Sequence, residues 1–198
     1  MSFWDRLPIF IGTYTERAGH ALGQSDSDPL GDGIYVAYLR GDGVETRAYS
    51  FTERSAKLAH EPGLVGPCPA FLRVITLKNS LKKKMYATNE VCPDGALQVF
   101  DVNTTTHRLS TTEMPVKVKG APCYIGVSPC QRFITVPNYM GGNCESFRLD
   151  EDHGRIALPV ADMKHGDKPR VEEKFEKYFG YLVRCEFWAK LRWRFLIL

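Results

Sequence analysis

The feature that most constrains the fold is a degenerate repeat of short apolar segments. One copy begins at Met85–Glu90 and another at Phe133–Tyr139, and each is followed by a turn that contains glycine. Each copy continues into a segment that ends in phenylalanine, and these residues, Phe100 and Phe147, are 47 positions apart. A weaker third copy opens the chain at Ile9–Tyr14. A period of roughly 40–50 residues built from short β segments is typical of propeller blades.

Apolar, β-branched segments bounded by Gly, Pro, Asn and Asp predict the individual strands. The predicted strands are Ile9–Thr15, Gly33–Leu39, Thr46–Phe51, Ala70–Leu77, Met85–Thr88, Leu97–Val102, Ile125–Val127, Phe133–Val136 and Cys144–Leu149. Glu16–Asp32, rich in Gly, Ser and Asp, is predicted to be a long surface loop. The lysine run Lys82–Lys84 falls where a hairpin turn is needed and is interpreted as solvated. Almost no segment before Asp162 has helical periodicity, which indicates an all-β body.

The last segment of the chain departs from this pattern. Apolar residues at Val171, Phe175, Tyr178 and Leu182 have helical spacing, whereas the pattern beyond Gly180 fits a strand or a helix. Its mixture of basic and aromatic residues is also found in segments that bind nucleic acid or anionic membranes. We favour the interpretation that the tail lies outside the repeat. The predicted organisation is therefore a β-propeller part over residues 1–170 and a divergent tail over 171–198, with neither nucleic acid nor membrane as a partner.

Composition favours an intracellular protein without a metal. The net charge of +3 indicates no particular partner. The six cysteines include no CxxC pair and no cysteine–histidine spacing typical of a metal site, so they are interpreted as free thiols in a reducing compartment. The N-terminus has no basic region followed by an apolar run, and no apolar stretch approaches the length of a membrane span. We therefore expect a cytoplasmic location and no cofactor.

The repeat also carries a family resemblance. Six motifs occur in order: Ile11–Thr15, Gly33–Tyr35, Pro69–Leu72, Tyr86–Glu90, Gly120–Cys123 and Asn138–Asn143. Together they resemble the beginning of the seven-bladed propeller lactonase family, which includes 6-phosphogluconolactonases and is related to carboxymuconate cyclases. The resemblance extends from about Ile9 to His165. It implies an all-β partial propeller of about three blades, because seven blades of this period need roughly 330 residues.

The resemblance also indicates what the sequence lacks. Relatives continue with a Pro-His-Pro-His stretch and an Asp-Leu-Gly stretch, and neither is present here. The histidine of the first stretch is a leading catalytic candidate in the family. We therefore predict a truncated chain with little activity on its own.

Hydrolysis of a sugar δ-lactone needs a base that activates water and donors that stabilise the oxyanion. Glu90 and the pair Asn138-Tyr139 follow equivalent strands of two repeats, where side chains reach the mouth of a propeller channel. Glu90 is the candidate base, and Asn138 and Tyr139 are candidate substrate-binding residues. An alternative for Asn138 and the matching Asn89 is that their side chains bond the turn backbone.

Two further candidates come from the resemblance alone. His165 and Arg170 stand where relatives have a His-Gly and an Arg-Gln pair, which implies a catalytic role for His165 and substrate binding by Arg170. A solvent-facing loop is the alternative for both. Tyr124 departs from the family, in which histidine commonly follows the Pro-Cys pair. The glycines Gly12 and Gly141-Gly142 are interpreted as turn and close-packing residues, since no helix follows them as in a phosphate-binding loop.

The resemblance implies lactone hydrolysis of the 6-phosphogluconolactonase type, a step of the pentose phosphate pathway, with a small sugar lactone as the partner. Two alternatives stay open. One is a non-catalytic propeller fragment that acts in protein interaction, and the other is a lactonising enzyme like the muconate cyclases. A partial propeller also leaves open sheet edges, through which we expect self-association.

Overall fold

The computed structural model describes residues 7–17, 30–41, 49–50, 56–164 and 196–197, and these residues contain fourteen strands and no helix. The strands are β1 (Leu7–Gly12), β2 (Ile34–Gly41), β3 (Tyr49–Ser50), β4 (Lys57–Leu58), β5 (Pro69–Thr76), β6 (Lys83–Asn89), β7 (Asp94–Val102), β8 (Leu109–Ser110), β9 (Val116–Lys119), β10 (Gly126–Val127), β11 (Phe133–Asn138), β12 (Asn143–Leu149), β13 (Ile156–Lys164) and β14 (Leu196–Ile197). The expected all-β fold is confirmed.

The strands form three antiparallel sheets that follow one another along the chain. The first sheet has the order β14-β1-β2-β3 with β4 also on β2, and the second has the order β5-β6-β7-β8 with β9 also on β7. The third sheet has the order β10-β11-β12-β13. Short antiparallel sheets in succession are the arrangement of a partial propeller, in which each sheet is one blade.

The sequence repeat corresponds to a repeat of strand register. The central hairpins of the second and third sheets end on the pairs Asn89–Ala96 and Asn138–Asn143, and the first sheet ends its hairpin at Gly12 paired with Ile34. We call the edge at which β1, β6 and β11 end the upper edge, and the opposite edge the lower edge.

A turn on the lower edge repeats in detail. In the second sheet the His107 amide donates to the Asn103 carbonyl at 2.8 Å, and in the third the Gly154 amide donates to the Asp150 carbonyl at 2.7 Å. His107 and Gly154 both have positive φ, 56° and 67°. In both turns the Asn or Asp side chain accepts hydrogen bonds from amides two and three residues ahead. This side-chain mimicry of a turn explains why short polar residues begin both connections.

Two apolar cores lie between the sheets. The first core joins the first and second sheets through these buried residues: Phe10, Ile34, Val36, Ala59, Leu72, Met85, Ala87, Phe100, Val102 and Leu109. The second core joins the second and third sheets through another set: Tyr86, Leu97, Val99, Val118, Ile125, Ile134, Val136, Phe147 and Leu149. Phe100 and Phe147 therefore fill equivalent places, each facing the preceding sheet.

Glycine allows adjacent sheets to approach closely at the upper edge. A methyl group at Gly12 would lie 1.9 Å from the carbonyl oxygen of Pro69, and one at Gly95 would lie 2.3 Å from Cδ of Pro122. Pro69 is the first residue of β5 and Pro122 precedes β10, so each proline lies at the start of the next sheet. The structure thus gives Gly12 the close-packing role predicted for it, and adds Gly95 at the next junction.

We expect Gly12→Ala to lower the free energy of unfolding by about 1–3 kcal/mol, because the added methyl group must displace backbone. Gly126→Ala is the matched control, since its methyl group would have its nearest neighbour at 3.7 Å. Its effect should stay within about 0.5 kcal/mol. Urea unfolding of both variants measures the difference, and equal stabilities would contradict the close approach.

The inner and central strands were predicted from the sequence, as was the outer strand β3 within Thr46–Phe51. No strand was predicted at β4, β8, β9 or β13. Most described side chains of β13 are exposed and the strand contains Pro159, so the alternation that signals a strand is missing. The interpretation of Lys82–Lys84 as a solvated turn is wrong for Lys84, which is buried in β6 and forms an ion pair with Asp101 at 2.7 Å.

The C-terminal prediction is only partly open to comparison. Residues 171–195, where helical spacing was noted, lie outside the described residues. Leu196 and Ile197 form β14, which pairs with Phe10 and Ile9 on β1. These two residues thus take the position beside β1 that β5 and β10 hold beside β6 and β11. The boundary at residue 170 stays a prediction.

Candidate active site at the upper edge

Three loop segments lie side by side at the upper edge. The Glu90 amide donates to the Cys68 carbonyl at 2.9 Å, and the Ala121 amide donates to the Val91 carbonyl at 2.9 Å. The Tyr139 amide then donates to the Ala121 carbonyl at 2.8 Å. These backbone bonds join the loops that follow β6 and β11 to the segment that leads into β10. Residues distant in sequence are thereby fixed next to one another.

The predicted residues Glu90, Asn138 and Tyr139 all lie on this edge. Glu90 and Tyr139 are structurally equivalent, because each is the first residue after the second strand of its sheet. Their environments differ: Glu90 is 6% exposed, whereas Tyr139 is 61% exposed. His165 and Arg170 lie outside the described residues.

Asn89 and Asn138 also occupy equivalent positions but are held differently. The Asn89 amide nitrogen donates to the backbone carbonyl of Pro67 at 2.8 Å, which is the turn-bonding role considered from the sequence. The Asn138 amide nitrogen instead donates to two side chains, Asn143 Oδ1 at 3.0 Å and Glu145 Oε2 at 2.6 Å. Asn138 is 2% exposed. The third sheet therefore places this amide in a side-chain network.

That network forms a closed ring of hydrogen bonds. Glu145 Oε2 also accepts the backbone amide of Lys119 at 2.9 Å. The Lys119 ammonium donates to Asp162 Oδ2 at 2.5 Å, and Asp162 Oδ1 accepts the Asn143 amide nitrogen at 2.5 Å. We call these five residues, Lys119, Asn138, Asn143, Glu145 and Asp162, the polar ring.

The charges of the polar ring stabilise each other. The hydrogen bond from Lys119, followed by the one from Asn143, lowers the pKa of Asp162. The same bond to Asp162 raises the pKa of Lys119. The carboxylate and the ammonium are therefore both ionised at neutral pH. Since the ion pair is largely solvated, it acts more by orienting neighbouring groups than by stabilising the fold.

The sequence pointed to only part of this ring. Asn138 was a site candidate, and Asn143 closes the motif Asn138–Asn143. Lys119, Glu145 and Asp162 were not predicted, because they come from three other strands or their ends and share no spacing. The pairing of β12 with β13 places Glu145 opposite Asp162, and contact between the second and third sheets brings Lys119 to both of them.

Tyr124, where relatives have histidine, packs its ring against Phe71 at a centroid distance of 4.7 Å. The two residues follow the equivalent prolines Pro122 and Pro69 by two positions, so the contact joins the inner sides of the second and third sheets. Aromatic pairs at this distance contribute packing energy. Tyr124 therefore has a packing role here.

Among the described residues, no group of three or more His, Cys, Asp and Glu side chains could hold a metal ion. The described part of the chain likewise contains no helix long and apolar enough to span a membrane.

Comparison with known proteins now decides the family. The model of the family "Lactonase, 7-bladed beta-propeller" matches residues 8–177. The chain belongs to the seven-bladed β-propeller lactonase family. The match includes β2 to β13 and nearly all of β1, and it excludes β14. No curated protein matches the chain.

One solved structure shows the same fold, and two others have lower similarity to this chain. A Lactobacillus plantarum protein is 18% identical with a TM-score of 0.52, over 81% of this chain and 38% of that one. A Bacteroides uniformis protein, provisionally named a 6-phosphogluconolactonase, is 23% identical with a TM-score of 0.49, over 81% and 38% of the two chains. A periplasmic gluconolactonase of Pseudomonas aeruginosa is 16% identical with a TM-score of 0.42, over 67% and 34%. The present lactonase-family chain thus spans less than two fifths of each structure.

One thiol of this family member has an unusual environment on the lower edge. Cys130 is exposed, and its sulfur lies 3.3 Å from the Ser128 hydroxyl oxygen. Hydrogen bonding from Ser128, then from the backbone and side chain of Arg132, lowers the pKa of Cys130 to about 7. The thiolate is the reactive form of cysteine.

We therefore expect alkylation of Cys130 by iodoacetamide to rise with pH about a midpoint near 7. Ser128→Ala should move this midpoint to higher pH, because it removes the principal hydrogen bond. Peptide mass spectrometry after timed alkylation measures the rate, with exposed Cys92 as the internal reference. A Cys130 midpoint that Ser128→Ala leaves unchanged would contradict the role of Ser128.

Proposed function

We propose that this chain is part of a lactone hydrolase and that its upper edge carries part of the catalytic site. The observation that carries the proposal is the family match over residues 8–177. The proposed substrate class is a sugar δ-lactone, with 6-phosphoglucono-δ-lactone as the first candidate. The pentose phosphate pathway and a cytoplasmic location belong to the proposal and rest on the sequence resemblance alone.

The proposed mechanism uses a carboxylate base. Glu90 would take a proton from water as that water attacks the lactone carbonyl, and the charge that develops on the carbonyl oxygen would need hydrogen-bond donors. The tetrahedral intermediate would then collapse with cleavage of the ring C–O bond, and Glu90 would return its proton to the departing ring oxygen. Tyr139 is a suitable donor by chemistry, because its phenol lies on the same edge and is exposed. Asn138 would contact the sugar. Arg170 would hold the phosphate and His165 would assist proton transfer.

The direct test is hydrolysis by the purified full chain. Glucono-δ-lactone and 6-phosphoglucono-δ-lactone would be supplied separately, and proton release would be compared with the uncatalysed rate. We expect acceleration, at a rate well below that of a family member with a full ring. A folded, monodisperse chain that accelerates neither reaction would contradict the proposal and favour a role in protein interaction.

A further inference from the structure

The polar ring fixes the orientation of both of its amides. The Glu145 and Asp162 carboxylates only accept hydrogen bonds, so the amide that faces each of them must present its nitrogen. Asn143 therefore turns its nitrogen to Asp162, at 2.5 Å, and its oxygen to Asn138. Asn138 must then present its nitrogen to Asn143 and Glu145 together. The carboxylates thus settle an orientation that an isolated amide leaves open.

In this orientation one acceptor atom, Asn138 Oδ1, is not used within the polar ring. Both protons of the Asn138 amide nitrogen are used within the ring, whereas its oxygen Oδ1 is buried and accepts no hydrogen bond from the described part of the chain. A buried oxygen without a donor destabilises a fold. Such a group in a native fold calls for an explanation, and a ligand donor is one of the few available. The equivalent Asn89 does not share this state.

The loop that follows β11 packs on the residues of the polar ring. At Gly141 an added methyl group would lie 2.8 Å from Asn143 Oδ1 and Lys119 Cβ, and 3.0 Å from Asn138 Cβ. The loop thus packs directly on the polar ring, while its tip exposes Tyr139 and Met140. Gly142 has a φ of +60°, and a methyl group there would touch nothing. Access of a ligand to the buried Asn138 oxygen would require this loop to move.

We propose that Asn138 Oδ1 is a fixed acceptor for a substrate hydroxyl, and that Glu145 and Asp162 are positioning residues that lock it in this orientation. The ligand class is a neutral polyol. Two carboxylates beside the acceptor disfavour a phosphate here, so the phosphate of a phosphorylated substrate binds elsewhere. This inference rests on the proposed function for the identity of the polyol as a sugar lactone, and it deepens that function by assigning this edge to the hydroxyls.

A non-hydrolysable probe separates binding from turnover. The probe is 1,5-anhydro-D-glucitol, a ring polyol without a lactone carbonyl, together with its singly deoxygenated analogues. Isotope-labelled full chain would be titrated with each compound, following the Asn138 side-chain amide by NMR. We expect wild type to bind the parent polyol about three- to tenfold more tightly than one deoxy analogue, as one lost hydrogen bond implies.

Asp162→Asn tests the positioning role. The two Asp162 oxygens face two different donors, so the new amide must turn its oxygen to the Lys119 ammonium and present its nitrogen to Asn143. The orientation of Asn143, and through it that of Asn138, is then no longer fixed. We expect binding of the parent polyol to weaken about three- to tenfold and the discrimination against the deoxy analogue to disappear. Asp152→Asn, at an exposed residue of the lower-edge turn, is the matched control and should change neither. A merely structural role of Asp162 would leave the discrimination intact.

A second variant keeps the test decisive. If Asp162→Asn fails to fold, Glu145→Ala removes the carboxylate that accepts from Asn138, and it should weaken binding and discrimination in the same direction. Unchanged discrimination in both single variants, or no binding of any polyol to wild type, would overturn the inference.

The outcomes also separate this inference from the proposed function. Lactone hydrolysis without polyol discrimination at Asn138 would overturn the inference and leave the hydrolase standing. Polyol discrimination that depends on Asp162, in a chain that hydrolyses no lactone, would support the acceptor and contradict the hydrolase.

Discussion

Phe100→Ala and Phe147→Ala should each lower the free energy of unfolding by about 3–5 kcal/mol. Both side chains are almost fully buried, at 0% and 2% exposure, and each is a large aromatic residue of one inter-sheet core. Truncation leaves a cavity that the antiparallel strands around it cannot close, since their positions are fixed by hydrogen bonds. The two costs should be similar, because the residues occupy equivalent places in the repeat.

Denaturant unfolding followed by circular dichroism measures both variants. Phe133→Ala is the matched control: the same substitution in the third sheet, at a residue that is 36% exposed, should cost less than half as much. Loss of stability for Phe100→Ala alone would mean that the third sheet does not pack as a repeat of the second. It would remove the structural basis for treating Glu90 and Tyr139 as equivalent.

Glu90→Gln should lower lactone hydrolysis by about 10²–10⁴-fold, the range that a positioned general base contributes. Glutamine keeps the size of the side chain but cannot accept a proton from water. The backbone around Glu90 is well fixed. The Glu90 amide donates a hydrogen bond to the Cys68 carbonyl, and the Val91 carbonyl accepts one from the Ala121 amide. Initial rates with glucono-δ-lactone, after subtraction of the uncatalysed reaction, give the effect.

Glu151→Gln provides the same chemical change at an exposed position on the lower edge and should leave the rate unchanged. The unfolding midpoint of Glu90→Gln must also be measured, because the side chain is buried. A folded Glu90→Gln chain with the rate of wild type would exclude Glu90 as the base. An acidic residue elsewhere, or His165, would then have to be tested by the same substitution strategy.

The inner and central strands were predictable because each has one face in an apolar core. β6 and β7 have apolar, β-branched residues bounded by turn residues, and that pattern depends on local chemistry. The outer strand β13 was not predictable, because it lies at the edge and buries little. Lys84 shows the opposite error. Its charge suggested a solvent-exposed side chain, whereas the side chain is buried in the sheet and forms an ion pair with Asp101 on the neighbouring strand.

The residues of the candidate site also differ in whether they could be predicted from the sequence. Glu90, Asn138 and Tyr139 were found from the sequence because they recur at one point of a repeat, and a repeat is visible without coordinates. The partners that set the environment of Asn138 were not visible, since Lys119, Glu145 and Asp162 belong to elements that meet only through sheet pairing.

The sequence alone determined the repeat, the all-β class and the family resemblance, because periodicity and turn residues act over a few positions of the chain. Tertiary structure decided which polar groups meet, how their amides are oriented and which acceptor is left over at Asn138. Hydrogen bonds depend on distances of a few tenths of an ångström and on direction, and strand register sets both between residues far apart in the chain.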